Sequence, residues 1–118
     1  MRSSVNGSQF KAKSPSPQVN FARVNAAALA SFDGWVHRFL PGAKRAGREW
    51  VALNPRRADR HLGSFRINRF TGRWADFATG DKGGDPVSLC AYVEGVSQVE
   101  AARRLARMLG LKLGEFAR

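Results

Sequence analysis

A chain of 118 residues is long enough for one small domain, and its single cysteine, Cys90, excludes an internal disulfide and fits a reducing compartment. Twenty lysines and arginines against nine acids leave a formal charge of +11, a field that attracts polyanions and puts nucleic acid ahead of acidic proteins as the partner class. No apolar run is long enough to span a bilayer or to form the core of a signal peptide, so a cytoplasmic protein with no membrane partner is expected.

Residues 1–20 are rich in Ser, Asn, Lys and Pro, with two Ser-Pro steps, and read as a disordered basic arm ahead of a domain over residues 21–118. Leu29, Phe32, Val36, Phe39 and Leu40 recur at helical spacing. This predicts one amphipathic helix, capped at Asn25, weakened by Gly34 and stopped at Pro41-Gly42. Ala43 to Arg48 reads as a basic turn, Trp50 to Leu53 as a short strand, and Asn54 to Gly63 as a loop. Ser64 to Phe70 and Arg73 to Phe77 then form a hairpin around Thr71-Gly72. Side chains alternate across a strand, so Phe65 and Ile67 face one way and Arg66 and Asn68 the other: an apolar side and a cationic side.

The segment Thr79-Gly80-Asp81-Lys82-Gly83-Gly84 lacks the Gly-Lys-Ser/Thr ending of a phosphate-binding P-loop and reads as a turn into a helix. That helix has Asp85 as its cap, Pro86 as its first residue, and an end at Gly95. Cys90 lies within it beside Leu89 and Ala91, as a small buried hydrophobe. Ser97 to Glu100 predicts a capping box for a last helix with Ala101, Ala102, Leu105, Ala106 and Leu109 inside, Arg103, Arg104 and Arg107 outside, and Gly110 at its close. The order of elements predicts an α+β fold: a small antiparallel sheet covered on one face by helices.

Three stretches, Asn54-Pro55-Arg56-Arg57, Gly63-Ser64-Phe65 and Trp74 through Pro86, carry a resemblance to the N-terminal zinc-binding domain of bacterial and phage DNA primases, extending over roughly residues 24–111. The resemblance implies a zinc-ribbon-like sheet and a role in holding template DNA. It also puts the four metal-ligand positions on Asn54, Arg57, Asp76 and Thr79, which make no Cys/His zinc set, so neither metal nor other cofactor is expected. The same alignment brings Arg57 within reach of Asp76. An ion pair there, with Asn54 and Thr79 adding hydrogen bonds, and apolar repacking by Leu53, Trp74 and Phe77 are the two candidate replacements for the metal.

The residues expected to bind nucleic acid, single-stranded DNA above all, are Arg56, Arg57, Arg60, Arg66, Arg69, Phe70, Arg73, Trp74 and Lys82. Arginines neutralise phosphates and exposed aromatics stack on unpaired bases; the alternative makes Phe70 and Trp74 hairpin core and leaves the arginines merely solvated. No nucleophile, base and acid occur in a catalytic order, and His37 and His61 are isolated. The expected protein is therefore a non-catalytic template-binding module of a phage or mobile-element replication system, with a primase polymerase domain or helicase as partner. An interaction or inhibitor module that turns the same basic surface on an acidic protein is the alternative.

Overall fold

The computed structural model describes residues 19–56 and 62–111. The expected arm up to residue 18, and the loop residues Arg57, Arg60 and His61, lie outside the described residues. The elements are α1 (Phe21–Ala30), α2 (Phe32–Phe39), β1 (Lys44–Ala46), β2 (Glu49–Ala52), β3 (Phe65–Asn68), β4 (Trp74–Asp76), β5 (Lys82–Gly83), α3 (Pro86–Glu94) and α4 (Gln98–Met108). The strands pair antiparallel in chain order, giving an α+β fold.

The single N-terminal helix expected from the apolar spacing is two helices broken at Ser31, whose φ of −119° and ψ of 25° leave the helical region. At the break two carbonyls at the end of α1 accept from side chains, that of Ala28 also from the Ser31 amide at 3.3 Å. Trp35 Nε1 donates to the Ala28 carbonyl at 2.8 Å and Ser31 Oγ donates to that of Ala27 at 3.2 Å. The cap of α1 is Asn20, which accepts from the Arg23 amide, and not Asn25. Asn25 Oδ1 instead accepts from the Val87 amide at 2.8 Å, so it satisfies an orphan donor in the first turn of α3 across the helix interface.

The basic turn expected at Ala43 to Arg48 contains β1, which hairpins into β2 around Gly47 at φ +64°. All three β1 residues are exposed, so the strand carries no apolar alternation for a pattern reading to find. Lysine and arginine on this open edge also discourage pairing with other chains. β5, inside the glycine-rich loop, was likewise unforeseen. Gly83 belongs there because a Cβ would collide with Trp74 Nε1 and Ser88 Oγ, so glycine lets β5 lie against the tryptophan. The β3–β4 turn falls at Thr71-Gly72 as expected. Gly72 is buried at φ +79°, and a Cβ there would meet the Pro86 ring at 2.7 Å, which docks the turn on the start of α3.

The core is continuous from the helices to one face of the sheet. Val24, Phe32, Val36, Leu89 and Leu105 are buried in one cluster with Trp50, Phe65, Ile67 and Trp74. Cys90 is fully buried within it, and burial pushes its thiol pKa far up, which leaves it unreactive. Asp85, Pro86 and Gly95 bound α3 as expected, Asp85 and Ser88 forming a reciprocal capping box. At α4, Ser97 accepts from the Glu100 amide, but the Glu100 side chain turns to Arg104 at 3.0 Å, so the expected box is half formed.

Candidate nucleic-acid interface

Strand register fixes what the outer face of the sheet displays. Lys44 lies opposite Val51, Val51 opposite Arg66, Arg66 opposite Ala75 and Ala75 opposite Lys82, which gives one row across all five strands. Glu49 and Asn68 form a neighbouring row, and Arg73 and Phe77 share the face of Ala75 by the two-residue repeat of β4. A methyl group at the centre of long side chains leaves a hollow. An open depression of about 390 Å³ lies there, lined by Glu49, Arg66, Asn68, Arg73, Trp74, Ala75, Phe77, Lys82 and Gly83.

The cations around the hollow are not equivalent. Arg66 donates to Glu49 Oε1 at 2.9 Å and to the Gly63 carbonyl at 2.9 Å, so its charge is partly matched and its guanidinium held in place. Arg73 and Lys82 are exposed, and no carboxylate among the described residues pairs with either. Phe77 is 72% exposed, the most exposed of the large apolar side chains described. The expected binding set omits it and only the apolar-repacking alternative would bury it, although the parity that puts Arg66 outside also puts Ala75 and Phe77 there.

Trp74, expected as a stacking platform, is a correction. It lies opposite Ile67 and Gly83, and so on the core face, and is only 6% exposed. Its Nε1 donates to Ser88 Oγ at 3.0 Å, and its ring meets Phe65 edge-on at 6.0 Å and Tyr92 at 4.7 Å between centroids.

Other predicted residues stand apart from the hollow. Arg69 pairs with Asp33 on α2, which also accepts from Trp50 Nε1 at 2.8 Å and lies 3.6 Å from Arg45. The Arg69 and Trp50 hydrogen bonds hold the Asp33 carboxyl below the usual carboxylate range. Phe70 at the hairpin turn is 53% exposed, with the guanidinium carbons of Arg69 and Arg48 at 4.9 and 5.1 Å from its ring centre. Arg56 lies 5.8 Å over the Tyr92 ring, beside Gly95 at the end of α3. The expected basic set is thus distributed over three places, with Arg57 and Arg60 outside the described residues.

Of the four positions that the resemblance aligns with metal ligands, Asn54, Asp76 and Thr79 come together through hydrogen bonds, while Arg57 lies outside the described residues. Asn54 and Asp76 are both buried, and Asn54 Nδ2 donates to Asp76 Oδ2 at 2.8 Å and to the Tyr92 hydroxyl at 2.9 Å. Asn54 Oδ1 accepts from the Arg56 amide, and Asp76 Oδ1 from the Ala78 amide, each at 2.8 Å. The Tyr92 hydroxyl donates to Asp81 Oδ2 at 2.8 Å, and Thr79 Oγ1 donates to the same oxygen at 3.1 Å. Burial, foremost, pushes the Tyr92 pKa up. Asp81 and Tyr92 are the members that sequence reading missed, and nothing in a lone helical tyrosine signals a contact to two distant loops.

These residues do not fit zinc. Asn54 turns a donor toward Asp76, and no group of three His, Cys, Asp or Glu side chains among the described residues could hold a metal ion. No helix among the described residues is long and apolar enough to cross a membrane. Compared with known proteins, the chain matches no protein-family model, and no curated protein matches it.

Proposed function

We propose that the helix-free face of the sheet binds single-stranded nucleic acid and that the protein acts as a non-catalytic template-binding module. The observation that carries this reading is the hollow over Ala75, where Arg73 and Lys82, with no carboxylate partner among the described residues, and the anchored Arg66 surround an exposed Phe77. Cations at a rim neutralise phosphates, and an exposed ring gives an unpaired base a stacking surface worth about 1–3 kcal/mol. A duplex keeps its bases stacked on one another and cannot use such a ring, so single strands bind better. Template DNA of a primase system, the partner implied by the resemblance at Asn54-Pro55, Gly63-Ser64-Phe65 and the Trp74 to Pro86 segment, belongs to the same proposal.

The test is a salt titration of binding to matched single- and double-stranded oligonucleotides, with and without Phe77→Ala. The reading expects single-strand preference, a steep fall with salt, and loss of the preference in the variant. No binding to either oligonucleotide at low salt would transfer the basic face to an acidic protein partner.

A further inference from the structure

A second exposed aromatic ring lies at the far end of the same hairpin, and the outer-face site does not use it. Phe70 follows β3, at the β3–β4 turn, whereas Phe77 follows β4 at the hairpin's open end, where its amide bonds the Ser64 carbonyl. Strand rise puts the two roughly 15–20 Å apart. Phe70 borders its own open depression of about 420 Å³, on the helix side of the turn, with Phe32, Asp33 and Gly34 of α2 and with Arg69. Arg69 is committed to Asp33, but Arg48, over the same ring, is exposed and has no carboxylate partner among the described residues. Arg73, at the base of the turn, lies between the two rings: Asn68, two residues before Phe70, bonds its carbonyl.

We infer that Phe70 and Arg48 form a second single-strand station, and that one strand held at Phe77 passes Arg73, rounds the β3–β4 turn and stacks a further base on Phe70. This rests on the outer-face reading and extends it from a site for about one base to a track that crosses from one side of the sheet to the other. Three features favour the same strand as the occupant. The ring is half exposed, its neighbour Arg48 is a cation suited to phosphate with no carboxylate partner among the described residues, and Arg73 puts a further cation between the stations. Two tethered contacts reinforce each other only when the strand reaches both. Length is therefore the diagnostic variable.

The experiment measures affinities of the full chain for a thymidine trinucleotide and for a strand of about twelve thymidines, in the parent, Phe70→Ala, Arg48→Gln and Phe77→Ala proteins. Phe70→Ala is expected to weaken the long strand about tenfold and the trinucleotide less than about twofold, with the melting temperature unchanged because the ring is exposed. Arg48→Gln should act in the same direction and lower the salt slope for the long strand alone. Phe77→Ala should weaken both. An equal effect of Phe70→Ala on both lengths, or none on either while Phe77→Ala still weakens binding, overturns the second station and leaves the outer-face site standing. Absence of binding by the parent protein overturns both.

Discussion

Trp74 and Phe77 stand three residues apart on one edge of the same hairpin, yet one ring is 6% exposed and the other 72%. The difference is parity. Trp74 shares its face with Ile67 and Gly83, and that face meets the helices; Phe77 shares its face with Ala75, Arg66 and Lys82, and no described helix covers it. The aromatic character of a segment therefore indicates neither core nor site until register is known, and the two faces of one strand divide stability from recognition.

Substitutions should separate these roles, beginning with the largest effect. Trp74→Ala removes a buried ring and orphans Ser88 Oγ from its donor, so a loss of about 3–5 kcal/mol is expected in chemical denaturation. Residual nucleic-acid affinity per folded molecule should be unchanged; an undiminished midpoint would contradict the buried placement. Asp76→Ala comes next, at about 2–4 kcal/mol, because it strands the Ala78 amide and one bond of the buried Asn54 amide. Removing Asn54 as well should cost less than the sum of the two single changes, and strict additivity would show that their hydrogen bond contributes little.

On the outer face the same measurements should invert. Phe77→Ala is expected to weaken single-strand binding by about 1–2 kcal/mol while leaving both the salt slope and the melting temperature in place. Arg73→Gln and Lys82→Gln should each reduce the log-log salt slope by about 0.7, and Arg66→Gln by less, since Arg66 already faces Glu49. Equal slopes for all three would remove the distinction drawn between free and anchored cations. The smallest expected effect is a pH response. The carboxyl pKa of Asp33 is lowered in the fold, foremost by Arg69, so its contribution is complete above the ordinary carboxylate range and is lost as pH falls through the folded value. Asp33→Asn should flatten that acid limb of the stability profile; an unchanged limb would assign it to other carboxylates.

Sequence was most informative where the controlling interaction is local. The caps of α3, the Thr71-Gly72 turn and the opposed faces of Phe65 and Arg66 each depend on residues within a few positions of one another. It failed where a partner is remote. The break at Ser31 depends on Trp35 reaching back to Ala28, Asn25 serves a helix 62 positions away, and β1 exists because β2 pairs with it. The candidate site follows the same division. Arg66, Arg73 and Lys82 were readable from alternation and charge, whereas Trp74 had to be exchanged for Phe77, and Arg56, Arg69 and Phe70 belong to other neighbourhoods.

The knot that joins Asn54, Asp76, Tyr92, Asp81 and Thr79 has a consequence for how this chain reaches its folded state. Thiolate zinc sites must be deprotonated, loaded and kept reduced, and oxidants or metal scarcity undo them. Amides, carboxylates and hydroxyls require no loading step and have no place on the cysteine oxidation ladder, and the chain's one thiol is sealed in the core. The hydrogen bonds by which these side chains hold the hairpin to α3 are therefore open to protons rather than to oxidants. Deprotonation of Tyr92 is resisted in the fold, so this hydroxyl's contribution to the knot is complete below the ordinary tyrosine range and is lost as pH rises through that raised value.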